Sequence, residues 1–404
     1  MRILLEIFKE PSFFFNKFRR YLVSIGLVLA AKVGASILIY YSLQLGRFDS
    51  YWMLWETGSS LPQNMVLHEL ASQSNRWLYL YVGWDSAWYL SIMSRGYRFS
   101  SQSYAFFPGL IIIEKILEQA FRNPLLSTFI AVFVFGIAWI PVFQLLAERR
   151  MSERNALLST LLFAFSPYVF LFTTVMYTEG PFLFFTLLAW LYFERHEMSK
   201  AVFYASVSTL IKPVGFLIAA PLILYSLREE EGKKVTNSLK SLLPIVTLFG
   251  WFLYCKLSTG NWLASMGTSE WNNMYTVYEW ITRVIPEYGV GALMFPIQWL
   301  NQHKVSPLFI GFFVVFPPLL LFNLLRTNKY AGIYSLIYYV SIVAIGTIFS
   351  YPRFLSFLFP IWMYGWGRLL NERNGYKICL IFLPIFFVIS VMLWSGFISG
   401  TFIA

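Results

Sequence analysis

The chain's 20 acidic residues include two aspartates, Asp49 and Asp85. Asp85 stands in Gly83-Trp84-Asp85-Ser86-Ala87-Trp88-Tyr89, a carboxylate set among aromatic rings. Such surroundings can raise a carboxylate's proton affinity, which suits a general base. A solvated loop aspartate, or the N-cap of a short helix over 86–94, would account for it equally well. Three more ionisable groups stand where apolar runs end. Glu179 follows Met176-Tyr177-Thr178, Lys212 precedes Pro213, and Arg353 lies in Ser350-Tyr351-Pro352-Arg353-Phe354. An ionisable residue at membrane depth is a functional candidate by default. Snorkelling to the interface is the plain alternative for the two cations. Complementarity to a helix N-terminus is the plain alternative for Glu179. Convergence favours chemistry: one candidate base and two cations come to one face from three distant parts of the chain.

Residues 261–280 hold a second group, Trp262, Trp271, Trp280, Tyr275 and Tyr278 with Asn261, Asn272 and Asn273. Rings and amide donors of this kind could stack on and hydrogen-bond a sugar or a lipid head group. Trp262, Trp271 and Asn272 are the acceptor-binding candidates here, and an interfacial aromatic belt explains the stretch as well. The two cysteines, Cys255 and Cys379, fall in different apolar runs, so no disulfide and no redox role is expected. The three histidines, His68, His196 and His303, lack metal-ligand spacing, and no metal site is expected. No phosphate-cradling or dinucleotide glycine pattern occurs.

The elements that must position these residues follow from composition. Of the 404 residues, 58% are hydrophobic and 13% charged, with mean hydropathy +0.60. A soluble domain is about 25% charged, so this chain has too little polar surface to cover itself in water. A polytopic all-α membrane protein is the class that remains. The net charge of +11 could suggest nucleic acid, but the basic residues sit at the ends of apolar runs and read as topology determinants; no nucleic-acid partner is expected.

Eleven runs are long or apolar enough to serve as spans: about 21–43, 125–146, 156–172, 177–193, 201–211, 214–226, 241–255, 307–325, 331–349, 354–367 and 378–399. The first is read as a retained signal anchor. Residues 1–10 look like an interfacial amphipathic helix ended by Pro11, within a cytoplasmic segment 1–20. Lys212-Pro213 interrupts 201–226. Basic stretches flank that run on both sides, so it must cross an even number of times, as two short helices with Lys212-Pro213 at the outer tip. On this topology 19 Lys and Arg fall in 65 cytoplasmic residues and 11 in 142 outer residues, a density about fourfold higher inside. Run 106–120 carries Glu114, Lys115 and Glu118 and is read as a juxtamembrane helix on the outer surface. The chain is thus expected to be one integral membrane domain, 1–404, with large outer loops at 44–124 and 256–306.

The stretch WDSAWYLSIMSRGYRFSSQSYAFFPG, Trp84–Gly109, resembles the signature of the GPI mannosyltransferase 2 (PIG-V) family. That signature has a Trp-Asp pair, a Gly-Tyr about ten residues on, and an Ala-Phe-Phe-Pro-Gly block. Here these are Trp84-Asp85, Gly96-Tyr97 and Ala105-Phe106-Phe107-Pro108-Gly109. The similarity extends through Tyr177-Thr178-Glu179 and Thr209–Gly215, where the family more often has Arg before Pro. Lys212 keeps the charge and loses the bidentate fork. Pro352-Arg353-Phe354 looks like a motif of related enzymes.

The resemblance implies a GT-C glycosyltransferase: a bundle of about eleven transmembrane helices with outer-face juxtamembrane helices. It implies an integral multi-pass protein, in the cell membrane of a prokaryote or the ER membrane of a eukaryote, with its site on the outer or lumenal face. The donor would be polyprenyl- or dolichyl-phosphate-mannose, no cofactor would be required, and the acceptor would be a lipid or glycan. Transfer from a phosphodiester needs a base for the acceptor hydroxyl but no general acid, because the leaving phosphate is already a stable anion. One carboxylate then suffices, unlike the pair in glycosidases. Asp85 is expected as the base of an inverting reaction, and Lys212 and Arg353 as the donor phosphate's partners. Trp84, Glu179, Tyr97, Phe107 and Tyr177 are further site candidates. The rival readings are a transporter or flippase of a lipid-linked sugar, a GT-C transferase of another sugar, and a non-catalytic assembly subunit.

Overall fold

A computed structural model of the chain describes residues 11–45, 76–266, 328–345, 350–365, 370 and 375–398. Within them the regular structure is helical and no strand occurs. Helix α1 is Pro11–Leu45, and its apolar part, Tyr21–Ser42, is long enough to cross a bilayer. The basic residues Lys17, Arg19 and Arg20 are part of this helix. Expectations for 1–10, for 307–325 and for most of 256–306 lie outside the described residues.

The described part of the segment between α1 and the next span-length helix is largely helical. A 3-10 stretch, Arg76–Tyr81, leads to α2, Asp85–Arg95. Two 3-10 turns, Tyr97–Phe99 and Ser101–Ala105, then lead to α3, Pro108–Phe121. The α3 helix has 14 residues, about 21 Å at 1.5 Å per residue, short of a hydrocarbon core of about 30 Å. Pro108 opens it at the position where a missing N–H is harmless.

The central elements are α4, Pro124–Glu148, α5, Glu153–Phe165, and α6, Pro167–Phe172. They are followed by α7, Glu179–Glu194, and α8, Met198–Ile211. The Asn123 side chain caps α4 through the Leu126 N–H, and Ser152 caps α5 through the Asn155 N–H. Run 156–172 is not one helix: Ser166-Pro167 divides it, because Pro167 cannot donate to the ladder and opens a new helix instead. At Lys212-Pro213 the chain does break as expected. A 3-10 turn, Pro213–Ile218, joins α8 to α9, Ala219–Ser226. This turn folds back on α8 so closely that a Cβ on Gly215 would lie 2.5 Å from the Ser208 carbonyl carbon.

Next come α10, Glu231–Ser241, and α11, Leu243–Thr259, which continue one another over a span-length run, Gly232–Thr259. The remaining helices are α12, Lys329–Ile345, α13, Tyr351–Ser356, and α14, Gly375–Ile398. Run 354–367 is broken rather than continuous: α13 stops at Ser356 and a π turn covers Ile361–Gly365. Four described helical runs are long and apolar enough to span: Tyr21–Ser42, Pro124–Glu148, Gly232–Thr259 and Gly375–Ile398.

The core is packed from aromatic rings. Trp139 and Phe143 of α4 meet Phe163 of α5, which stacks on Trp362. Each such pair adds about 0.5–1.5 kcal/mol beyond its area. Helix α7 packs on both α4 and α8, and α13 packs on α6. At the C-terminal end of α7, Glu194 binds Arg150 at 2.5 Å and Arg149 at 3.4 Å. At its N-terminal end stands Glu179, 15 positions away and so about 22 Å distant.

Candidate active site

Asp85 is not the N-cap of its helix. That place is held by Trp84, at φ 48°, a left-handed conformation that is an outlier for a bulky side chain. Asp85 is the first helical residue, where a carboxylate suits the helix dipole. Its N–H, which has no partner within the helix, donates to the Tyr177 hydroxyl at 3.0 Å. Its carboxylate turns to another part of the chain. Arg353 Nη1 donates to Asp85 Oδ2 at 3.2 Å, across 268 positions of sequence.

The contact is one link of a longer chain. Arg353 Nε lies 3.5 Å from Glu179 Oε1, an ion-pair distance, and the same oxygen accepts from Lys212 Nζ at 2.6 Å. The order is Asp85, Arg353, Glu179, Lys212, two acids and two cations alternating in sign. The Glu179 side chain is 1% exposed, Arg353 9% and Lys212 14%, whereas Asp85 is 37% exposed. Burial is deepest at Glu179, between the two cations, and Asp85 is the most exposed member, open to an incoming molecule.

Aromatic faces enclose the cations. The Arg353 guanidinium lies over Phe172, Tyr177 and Phe354, and Lys212 Nζ lies 4.5 Å from the Phe354 ring centroid. Tyr338 of α12 donates to the Phe354 carbonyl at 3.0 Å and so fixes α13. Burial acts to lower the Arg353 guanidinium, but Glu179 and Asp85 outweigh it and hold the group above its ordinary value. For Lys212 burial prevails, and the ammonium lies below the usual lysine range despite Glu179.

The structure therefore brings Asp85, Glu179, Lys212, Arg353 and Tyr177 together, with Trp84 beside them. Tyr97 and Phe107 do not join the cluster. The Tyr97 hydroxyl donates to the Phe106 carbonyl at 2.9 Å, and both rings pack on Trp251 of α11. They hold the 96–109 block against that helix. Trp262 is exposed, beside a 3-10 turn, Ala264–Met266, that packs on Ser101–Ala105. Trp271 and Asn272 lie outside the described residues. Sequence reasoning did not find Phe172 and Tyr338. Both belong to apolar stretches that give no local sign of standing next to a charge.

Residues 56–230 match the sequence profile of the family described as Mannosyltransferase (PIG-V). The matched segment contains Asp85, Tyr177, Glu179 and Lys212, and Arg353 lies beyond it. No curated protein matches the chain. Among solved structures the chain is similar to ArnT from Cupriavidus metallidurans in the apo state, with 13% identity, TM-score 0.43, and coverage of 84% of this chain and 75% of that one. ArnT bound to undecaprenyl phosphate gives the same identity and score, covering 84% and 76%. The Archaeoglobus fulgidus oligosaccharyltransferase, in complex with Zn and sulfate, is similar at 13% identity and TM-score 0.44. That match covers 81% of this chain, which spans 49% of the oligosaccharyltransferase's length.

Proposed function

We propose that the chain is a membrane hexosyltransferase that moves mannose from a polyprenyl-phosphate carrier to a lipid or glycan acceptor at the outer or lumenal face. One observation carries this reading. Asp85, in the segment that matches a mannosyltransferase family, shares an ion-pair chain with Arg353, Glu179 and Lys212. An exposed carboxylate backed by two cations is the equipment that transfer from a phosphodiester requires.

In the proposed reaction Asp85 Oδ takes the proton of the acceptor hydroxyl. The acceptor oxygen attacks the anomeric carbon on the face opposite the phosphate. The carbon–oxygen bond to phosphate breaks, and its electron pair leaves on the phosphate oxygen. The products are an inverted glycoside and polyprenyl phosphate. Lys212 and Arg353 meet the growing negative charge on the phosphate. Arg353 must loosen its hold on Asp85 to do so, which frees the base when the donor arrives. A flippase would need no base, so the exposed Asp85 favours the transferase over that rival.

The test is to incubate purified protein in nanodiscs with polyprenyl-phosphate-mannose and native membrane lipids, and to examine the products by mass spectrometry. A new hexose on a defined lipid or glycan is expected. Asp85→Asn should lower turnover by about 10²–10⁴-fold with insertion and thermal midpoint unchanged. Retained turnover in that variant would rule out Asp85 as the base.

A further inference from the structure

Lys32 is a lysine inside the first apolar helix and 1% exposed. No carboxylate pairs with it among the described residues. Its Nζ donates to the Thr173 carbonyl at 2.8 Å, to Thr173 Oγ1 at 2.9 Å and to the Gly136 carbonyl at 3.1 Å. An ammonium has three donors, and here each has an acceptor. Two of the three belong to Thr173, the residue that closes α6. The packing around this point leaves no slack. A Cβ on Gly136 would lie 2.0 Å from the Thr173 carbonyl oxygen.

Thr173 begins the turn that delivers the site. Four residues on is Tyr177, whose hydroxyl accepts the Asp85 N–H, and two more bring Glu179, which holds both cations. One helical turn beyond Lys32, Ser36 forms a second tie. Its Oγ accepts from the Tyr81 hydroxyl at 2.8 Å and donates to the Lys32 carbonyl at 2.7 Å. Tyr81 lies four residues before Asp85, and its carbonyl accepts the Met176 N–H at 2.8 Å. The ring of contacts closes: α1 holds the turn 173–178 through Lys32 and the segment 81–85 through Ser36, and those two segments hold each other.

We infer that Lys32 is a positioning residue: by binding Thr173 it fixes the turn bearing Tyr177 and Glu179 in register with the segment bearing Asp85. A charge inside an apolar helix is costly, and neither a bilayer anchor nor a topology signal needs one 1% exposed on a backbone turn. The role in catalysis rests on the proposed transferase reading, whereas the positioning itself is read from geometry.

The experiment compares wild type with Lys32→Met, in nanodiscs, by hydrogen exchange and by hexose transfer. In Lys32→Met the Met176 and Asp85 amides are expected to exchange at least tenfold faster, with the interior of α4 unchanged. Turnover per folded molecule should fall at least tenfold, with the acceptor KM within threefold. A lysine that only aids folding would lower the folded yield and leave the folded fraction with wild-type exchange and turnover; that result overturns the inference. Should Lys32→Met not insert, Thr173→Val removes one of the three acceptors, and at least threefold faster exchange at Met176 is required of it. A wild type that transfers no hexose counts against the proposed function, while the exchange result still decides the positioning.

Discussion

Glu179 is nearly out of water because Lys212 and Arg353 stand on it, and they in turn are tolerated because it is there. Removing one member of a buried ion pair costs about 3–5 kcal/mol, because the partner is left charged and alone. Glu179→Gln should therefore lower the thermal midpoint sharply. The double variant Glu179→Gln with Lys212→Met should lose less than the sum of the two singles, a non-additivity that a melting series in nanodiscs would read. Glu114 of α3 makes a different prediction. It is wholly buried, with neither carboxyl oxygen in a hydrogen bond, and burial pushes it up to about 8, with Glu118 adding to the rise and Lys115 easing it. The folded protein keeps this proton over a pH range where the unfolded chain has lost it. Stability should thus decline as pH rises from about 4.5 to about 8, by about 1.4 kcal/mol per unit, and then level off. Glu114→Gln should flatten that decline, and a wild-type melting curve indifferent to pH over this window would contradict the assignment. At this scale Asp85, Lys212 and Arg353 were legible, since an ionisable group in an apolar chain advertises itself. The bridge was not, because nothing local to Glu179 says that Lys212 and Arg353 will share one of its oxygens. The burial of Glu114 was equally hidden, since its neighbours Lys115 and Glu118 make α3 read as a surface helix.

Each site segment is the end of a helix or the turn beside one. Asp85 opens α2, Glu179 opens α7, Lys212 follows α8 and Arg353 lies in α13. Proline and glycine decide where these ends fall. Lys212-Pro213 announced its break, because proline in an apolar run has few other readings. Ser166-Pro167 gave the same signal within 156–172, but an unbroken row of apolar residues does not distinguish one helix from two. Close packing at Gly136 could not be read at all, since it depends on a carbonyl 37 positions away. Gly136→Ala sets a methyl against that carbonyl and should cost about 1–3 kcal/mol as overpacking. Gly26→Ala on α1 meets nothing within 4 Å and should be neutral or mildly stabilising. A thermal midpoint that fell equally in both variants would show that the α4–Thr173 approach is not the tight point.

The whole molecule has a polarity that the arrangement of charges makes testable. At one end of α7 the basic residues Arg149 and Arg150 gather on Glu194, and Tyr21 of α1 donates to Glu148 nearby at 3.0 Å. At the other end stand Glu179 and the site. The positive-inside rule assigns the arginine end to the cytoplasm, since retained basic loops set orientation. The proposed function requires the site to face the opposite side, where a carrier's phosphate would be met from the leaflet surface. The two native cysteines are buried, so cysteines placed at exposed positions report with little background. Ser94→Cys, at the exposed end of α2, should react with a membrane-impermeant maleimide added to intact cells. Arg149→Cys should react only after the membrane is opened, its loss tolerated because Arg150 still holds Glu194. Labelling of both positions from the same side would break the link between charge and orientation. The reverse pattern would put the site in the cytoplasm and remove the ground for a carrier-linked donor at the outer face.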